Sequence, residues 1–145
     1  MLSQRLISYL SANADPLPVD VQTRYARKLQ ELLFDQQINS DFTHFMTKYS
    51  DEYYGAEGLI PDVMNDDLMN YEVGTTQHLI KNYKVPSHYV SLFNLETDDY
   101  LLYNKSNDAV KLILGKNMAK LPVDAYYDRL WSSFNEFMEH FFYLS

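Results

Sequence analysis

The spacing of apolar residues changes twice along this chain of 145 residues, from a helical repeat to a strand repeat and back. The helical repeat runs up to Tyr49, the strand repeat fills short runs between 88 and 114, and helical spacing returns from Ser133 to Phe142. A segment with one period does not bury its apolar face in the other structure. The chain is therefore predicted to be an α+β protein, with a central antiparallel meander packed by N-terminal helices and a closing C-terminal helix.

Three helices are predicted in the first part of the chain. The first ends before a proline-rich break at 15–18, and the second runs from that break with one apolar stripe. The third begins at Ser40, a good N-cap residue, with Asp41 placed to favour the helix dipole. The predicted buried faces are Leu2, Leu6, Ile7 and Leu10, then Val21, Tyr25, Leu29, Leu32 and Leu33, then Phe42, Phe45, Met46 and Tyr49.

The strand repeat occupies three short runs, at 88–94, 100–104 and 109–114, which are rich in Tyr, Val, Leu and Ile. Turn-forming clusters of Asp, Asn, Ser and Thr separate these runs, so two successive hairpins are predicted. The preceding segment, 50–72, has no period strong enough to define one element, and it is interpreted as a loop with short strands.

Two further helices are predicted, at 75–83 and at 133–143. The first ends before Val85-Pro86, because the residue ahead of a proline is pushed out of the helical region. The second begins at Ser133, whose spacing to Glu136 fits a capping box, and Phe134, Phe137, Met138 and Phe141 form its predicted buried face.

Two smaller features near the predicted helices also lead to expectations. The tetrapeptide Leu-Pro-Val-Asp occurs at 17–20 and at 121–124. Both copies are interpreted as a proline at a helix entrance. Trp131 lies just before the closing helix and is predicted to be a core residue, because a lone Trp beside a Phe-rich face usually anchors packing.

The length and composition indicate one globular domain over 1–145. Apolar residues make up 46% and charged residues 22%, which excludes disorder and coiled coils. Within this domain, the predicted parts are a helical part at 1–49, a sheet part at 50–116 and the closing helix at 133–143.

Motifs for catalysis or for metal and cofactor binding are missing from the sequence. It has no cysteine, no glycine-rich phosphate loop and no nucleophile elbow, and its four histidines never pair at metal-ligand spacing. No catalytic residue, metal site or cofactor is therefore predicted, and the protein is expected not to be an enzyme. Adjacent carboxylates at 51–52, 66–67 and 98–99 keep a carboxylate-dependent hydrolase open as an alternative.

The net charge is −8, which opposes binding to nucleic acids and to anionic membrane surfaces. No window approaches the roughly 20 apolar residues of a membrane span. The start of the chain lacks a signal peptide's apolar region. A cytoplasmic protein with a protein partner is expected, and the sequence does not indicate an oligomeric state.

The acidic charge is concentrated in one segment, 51–72, which holds seven acidic residues and neither Lys nor Arg. Tyrosines lie between these acids, and Tyr is favoured at recognition surfaces, while acidic charge steers a basic partner. The other interpretation, a solvated loop that keeps the protein in solution, stays open. The candidate partner-binding residues are Asp51, Glu52, Tyr53, Tyr54, Glu57, Asp62, Asp66, Asp67 and Glu72.

Several short stretches resemble motifs of the SUKH superfamily. They are 38–46 (Ile-Asn-Ser-Asp-Phe-Thr-His-Phe-Met), 49–55 (Tyr-Ser-Asp-Glu-Tyr-Tyr-Gly), 58–61 (Gly-Leu-Ile-Pro), 97–104 (Thr-Asp-Asp-Tyr-Leu-Leu-Tyr-Asn) and 133–138 (Ser-Phe-Asn-Glu-Phe-Met). Ile-Asn at 38–39 stands where the family usually has Leu-Pro, and Ser-Asp-Glu replaces its Asn-Gly-Gly. An alignment that uses Leu17-Pro18 restores the Leu-Pro but loses the spacing to the glycine.

The resemblance implies a SUKH-like fold over most of the chain. The superfamily includes fungal cell-wall assembly regulators, and its most numerous members are bacterial immunity proteins that neutralise toxins, many of them nucleases. By resemblance, this chain is expected to be an immunity-type protein that binds a basic toxin domain. A scaffold or regulatory module of the cell-wall assembly type is the alternative from another functional class.

Overall fold

A computed structural model of the protein describes residues 2–32 and 40–145. The helices are α1 (Gln4–Asn13), α2 (Val19–Leu32), α3 (Ser40–Tyr49), α4 (Val63–Asp66), α5 (Thr75–Tyr83) and α6 (Phe134–Phe141). The strands are β1 (Tyr53–Gly55), β2 (Gly58–Ile60), β3 (Tyr89–Ser91), β4 (Tyr100–Asn104), β5 (Val110–Ile113) and β6 (Arg129–Trp131). Two 3-10 helices lie at Leu68–Val73 and Gly115–Lys120.

The predicted α+β class is confirmed. Strands β3, β4, β5 and β6 form an antiparallel meander in chain order, while β1 and β2 form a separate two-stranded antiparallel sheet. The predicted hairpins are β3–β4 and β4–β5. The sequence pattern missed β6, which has only three residues and pairs Leu130 with Lys111.

The main core lies between one face of the meander and the helices. Alternate strand residues such as Val90, Leu101 and Val110 point to this face, where they pack against buried residues of α1, α2, α3 and α6. The aromatic rings at its centre are in direct contact, with Phe42 stacked on Tyr103 at a centroid distance of 4.1 Å. Trp131 belongs to this core at 6% exposure, as the sequence predicts.

A second, smaller core covers the opposite face of the meander. It consists of Leu79 on α5, Val85, Leu121 and the strand residues that alternate with the first set, Tyr89, Leu102 and Ile113. Strands β3, β4 and β5 are therefore covered on both faces, and every residue of β5 is buried, whereas Arg129 and Leu130 of β6 are exposed. A strand covered on both sides shows a continuous buried run in place of a half-exposed alternation.

Three details differ from the sequence-based predictions. The predicted sheet part, 50–116, also contains the helices α4 and α5, and its β1–β2 hairpin stands apart from the meander. The Leu-Pro-Val-Asp at 121–124 leads to β6 and not to a helix, so only the copy before α2 opens one. The predictions for Leu33, Ile38 and Asn39 lie outside the described residues.

The closing helix is capped nearly as predicted. The Ser133 hydroxyl accepts a hydrogen bond from the Glu136 backbone N–H at 3.1 Å. The Glu136 carboxylate accepts a hydrogen bond from the Ser132 backbone N–H at 3.0 Å. In a standard capping box the donor would be the N-cap residue itself, Ser133, which is one residue later. All of the predicted apolar face of α6 is buried.

The β1–β2 hairpin is docked on the C-terminal end of α6. The Ala56 backbone N–H donates to the Phe141 carbonyl at 2.8 Å. Gly55 makes this close approach possible, since a Cβ there would lie 2.4 Å from the same carbonyl oxygen. The hairpin position therefore depends on a residue without a side chain.

Replacing Gly55 by alanine is expected to lower the free energy of unfolding by about 1–3 kcal/mol, because the backbone of Phe141 cannot yield as a side chain would. Urea unfolding measures the change. Tyr54→Ala is the matched control on the same strand, since Tyr54 is 76% exposed and its loss is expected to cost about 0.5 kcal/mol or less. Equal stability of the wild type and Gly55→Ala would contradict the docking.

Candidate partner-binding site

The predicted partner-binding residues fall into three classes of exposure. Asp67 is buried, and Tyr53, Glu57 and Asp62 are half-buried. The exposed residues are Asp51, Glu52, Tyr54, Asp66 and Glu72. The segment is thus an ordered part of the fold, with some of its acids turned inward.

Asp67 is not available to a partner. It is 4% exposed, and its carboxylate accepts hydrogen bonds from the Thr76 hydroxyl at 2.7 Å and from the Thr76 backbone N–H at 3.1 Å. It serves the first turn of α5, where backbone N–H groups have no helical partner. Burial raises the pKa of the Asp67 carboxyl, and the hydrogen bonds from Thr76 oppose that rise.

Glu57 is also engaged within the protein. Its side chain is 13% exposed, and its Oε2 atom lies 2.7 Å from His140 Nε2 and 3.1 Å from an Arg129 guanidinium nitrogen. The guanidinium in turn lies 4.7 Å from the centre of the Trp131 ring. Glu57 therefore links the β1–β2 hairpin to α6 and β6, and it is not a free charge.

Tyr53 has a structural role. Its hydroxyl donates to the Tyr49 carbonyl at 2.6 Å, and its ring packs on Phe45 and Phe142. Burial, followed by the charges of Asp51 and Asp62, raises the pKa of the Tyr53 hydroxyl. This tyrosine joins the C-terminal end of α3 to β1.

Three of the remaining acids, Asp51, Asp62 and Asp66, form what we call the acidic corner. Asp62 caps the N-terminus of α4 by accepting from the Asn65 backbone N–H at 3.1 Å, and Asp66 lies one helical turn later. The Ser50 hydroxyl donates to the Asp62 carboxylate at 2.7 Å, which holds Asp51, the next residue, beside α4.

The charges of the acidic corner act on one side chain from α2, Tyr25. Burial, followed by the negative charges of Asp62, Asp66 and Asp51, raises the pKa of the Tyr25 hydroxyl, and Arg24 opposes this. The sequence pattern placed Tyr25 on the buried stripe of α2, which is correct, but the stripe does not reveal what its hydroxyl faces.

No cation of the described residues forms an ion pair with the acidic corner. Among the other exposed candidates, the Glu52 backbone N–H donates to the Asp51 carboxylate at 2.7 Å. Within the described ranges, no hydrogen bond joins the side chains of Glu52, Tyr54 or Glu72 to the corner. Across the two described ranges, no group of three or more His, Cys, Asp or Glu side chains is arranged to hold a metal ion. The corner is thus a region of uncompensated negative charge without the geometry of a metal centre.

The three carboxylate pairs that left a hydrolase open lie in different surroundings. Asp66 is exposed while Asp67 is buried, so these two point to different surroundings. Asp99 accepts a hydrogen bond from the Gly115 backbone N–H at 2.9 Å, whereas Asp98 is exposed. Asp51 and Glu52 are both exposed, and Asp98 and Asp99 line the same cleft of about 640 Å³. The hydrolase alternative therefore stays a prediction.

A cleft of about 330 Å³ lies on the outer face of the meander, between the β4–β5 turn and the segment before β6. The polar groups at its floor are engaged within the protein. The Lys111 ammonium donates to the carbonyls of Asp124 and Tyr126, both at 3.0 Å, and the Tyr89 hydroxyl donates to the Asp124 carboxylate at 2.7 Å. Desolvation lowers the pKa of Lys111, partly offset by Asp124. We interpret this cluster as an anchor of the segment before β6.

None of the helices that the structure describes combines the length and the apolar character needed to cross a bilayer. Comparison with protein-family models, with curated proteins and with solved structures finds no match to this chain.

Proposed function

We propose that this protein is a non-enzymatic binding protein of the immunity type, which neutralises a basic toxin domain through its acidic corner. The observation that carries the proposal is the group of three carboxylates, Asp51, Asp62 and Asp66, held together at α4 without an ion-pair partner among the described residues. Folded proteins commonly scatter or pair their surface charges, so an uncompensated cluster suits a partner of opposite charge.

Complementary charge affects the association rate and the specificity of binding more than the affinity. Complementary charge steers a basic domain towards the corner and disfavours acidic competitors. A nuclease toxin carries a basic groove for its nucleic acid, and an acidic surface can occupy that groove. The proposal therefore includes a protein partner, no nucleic acid and no membrane, and it places the protein in the cytoplasm.

The resemblance to the SUKH superfamily is the second support. In this chain, the resembling stretches at 49–55 and 58–61 cover the β1–β2 hairpin, 97–104 covers β4, and 133–138 opens α6. The first of them contains Asp51, so the resembling region and the acidic corner adjoin. The scaffold alternative uses the same surface but binds several partners weakly.

The first experiment isolates the partner and then tests the corner. The tagged protein captures its partner from a lysate of the source cells under a high-salt wash, and mass spectrometry identifies it. We expect one basic protein in equal amount, and many partners lost at high salt would favour the scaffold.

For the isolated partner, Asp51→Lys combined with Asp66→Lys is expected to slow association about tenfold or more at low salt, since these charges steer encounter. Stopped-flow mixing at several salt concentrations measures this rate. The matched control, Glu96→Lys with Asp98→Lys, changes the net charge equally at two other exposed acids. Equal slowing by both pairs would show that net charge alone acts, and it would exclude the corner as the interface.

A further inference from the structure

We propose that strand β6 is a dimerisation edge, where a second copy of this chain adds its own β6 in antiparallel orientation and extends the meander across a two-fold axis at Leu130. This edge is a different surface from the acidic corner, and the dimer does not depend on the proposed function. The hydrogen-bonding pattern of the meander leaves one residue of β6 with both main-chain groups directed away from the sheet.

Strand β6 is the last strand of the meander, and within the described ranges only β5 pairs with it. Its other edge is accessible, since Arg129, Leu130 and Ser132 are exposed. The charged residue of β6, Arg129, is engaged with Glu57 at 3.1 Å. A free edge presents unpaired N–H and C=O groups, which readily pair with another strand. Here the middle of that edge is a leucine that is 47% exposed.

The direction of the main-chain groups in β5 follows from the hydrogen bonds of the sheet. In an antiparallel sheet, successive residues turn their N–H and C=O alternately to the two neighbouring strands. The Asn104 N–H donates to the Ala109 carbonyl at 2.8 Å, so Ala109 turns to β4, and Lys111, two residues later, does the same. Leu112 therefore turns to the β6 side, where its carbonyl accepts from the Asp128 N–H at 2.9 Å.

The same alternation gives the directions in β6. Arg129 pairs with Leu112, and Trp131 pairs with Val110, so these two residues of β6 turn their main-chain groups to β5. Leu130, between them, turns its N–H and C=O to the open edge. Neither group bonds to a main-chain group elsewhere in residues 2–32 and 40–145. Leu130 therefore offers one donor and one acceptor to an added strand.

A single outward residue fixes the register of a pair formed by two copies. Leu130 of one copy lies opposite Leu130 of the other, and each N–H donates to the other C=O, which is a self-complementary two-fold contact. In this register Arg129 lies across from Trp131 of the second copy, so no like charges face each other. Arg129 already lies 4.7 Å from the centre of its own Trp131 ring, and the dimer repeats this cation–π contact across the axis.

The outer face beside the edge adds apolar contact. Leu130 and Tyr127, which are 47% and 49% exposed, line the cleft of about 330 Å³ described above. In the dimer the two Leu130 side chains lie on the same face, with Cβ atoms about 5.5 Å apart, and each shields the other from water. Apolar side chains at the centre of a contact are typical of protein interfaces.

The net charge of −8 on each copy opposes association, and salt screens this repulsion. Raising the salt concentration from about 0.05 M to 0.5 M is therefore expected to strengthen dimerisation about threefold. Binding of a basic protein at the acidic corner has the opposite salt dependence, because salt weakens attraction between unlike charges. The sign of the salt effect thus distinguishes the two surfaces.

Sedimentation equilibrium of the full chain at about 5–500 µM measures the dimer, and a dissociation constant of about 10–100 µM is expected for so small a contact. Leu130→Lys places two like charges opposite each other and removes the apolar pair, so it is expected to weaken the dimer about tenfold or more. Leu95→Lys is the matched control, at a leucine that is 52% exposed, and is expected to change the constant about twofold or less.

Leu130→Pro tests the main-chain hydrogen bonds. Proline has no N–H, so both bonds across the axis are lost, and dimerisation is expected to weaken about tenfold or more. Proline is tolerated on an edge strand where the N–H faces solvent, so the thermal unfolding midpoint should stay close to that of the wild type. A large fall of this midpoint would show that the Leu130 N–H belongs to the β5–β6 ladder, which would overturn the proposal.

A single introduced thiol tests the register, because the chain has no cysteine. Leu130→Cys places two thiols on residues whose Cα atoms lie about 5.5 Å apart in the dimer, within the range of a disulfide. Mild oxidation followed by a non-reducing gel should convert most of Leu130→Cys to a covalent dimer while the control, Leu95→Cys, stays largely monomeric.

Three results would each refute the dimerisation edge. They are a wild type that stays monomeric at every concentration, equal cross-linking of Leu130→Cys and Leu95→Cys, and a dimer that Leu130→Lys weakens no more than Leu95→Lys does. None of them bears on the acidic corner, whose charge variants are measured separately.

Discussion

Replacing Phe134 by alanine is expected to lower the free energy of unfolding by about 3–5 kcal/mol, the range for removing a large aromatic side chain from a packed core. Phe134 is completely buried and opens α6. Its ring lies 5.3 Å from Phe42, 5.7 Å from Phe45 and 5.6 Å from Tyr103, between centroids. The variant therefore leaves a cavity where α3, β4 and α6 meet.

Guanidinium chloride unfolding followed by circular dichroism measures the change. The matched control is Tyr143→Ala, which removes an aromatic side chain that is 75% exposed and is expected to cost about 0.5 kcal/mol or less. A loss below about 1 kcal/mol for Phe134→Ala would contradict the central position of this ring. Because the total stability of such domains is about 5–15 kcal/mol, Phe134→Ala is expected to unfold at a much lower guanidinium chloride concentration than the wild type.

Replacing Asp67 by alanine is expected to cost about 2–4 kcal/mol, because it leaves buried donors without an acceptor. The Thr76 backbone N–H and hydroxyl both donate to Asp67, and the Thr76 hydroxyl oxygen accepts from the Ser91 backbone N–H at 2.9 Å. This chain of hydrogen bonds joins the 3-10 helix at Leu68–Val73, α5 and β3. Its loss affects three elements at once.

Asp67→Asn is the matched control, since the amide oxygen still accepts and no charge is buried; a cost of about 1 kcal/mol or less is expected. The direction of the Asp67 pKa shift also predicts how the stability depends on pH. The folded pKa of Asp67 is raised, so the folded state binds this proton more tightly, and the contribution of Asp67 to stability falls as pH rises through the folded pKa. The wild type should therefore lose stability relative to Asp67→Asn as pH increases from about 4. The opposite trend would contradict the buried environment.

The segments with a sustained period were predictable from the sequence. The stripe of α2, the face of α6 and the hairpins of β3, β4 and β5 each follow from apolar spacing alone. Strand β6 was not predictable, because three residues are too few to show a period and its place is set by pairing with β5. The segment before β6 has no period either, and its position depends on contacts with distant residues.

The candidate site was predictable as a segment but not residue by residue. Asp66 and Asp67 are chemically identical neighbours, yet one is exposed and the other caps α5 from inside. No sequence pattern indicates that the Glu57 side chain is largely buried. It pairs with His140, which is 83 residues away in the chain. Such outcomes are set by tertiary contacts, which composition does not encode. The SUKH resemblance stays a prediction.

The way Lys111 holds the segment before β6 has a consequence for how this protein tolerates change. The side chain is almost fully buried at 3% exposure, and both hydrogen bonds of its ammonium go to carbonyl oxygens of the main chain. Every residue type supplies the same carbonyl group. Asp124 adds its carboxylate to this anchor, since it accepts from the Tyr89 hydroxyl and offsets the desolvation of Lys111. At 126 the lysine recognises only the path of the backbone, so the ammonium itself sets no requirement for the side chain there, and a substitution at 126 can keep this attachment to the sheet.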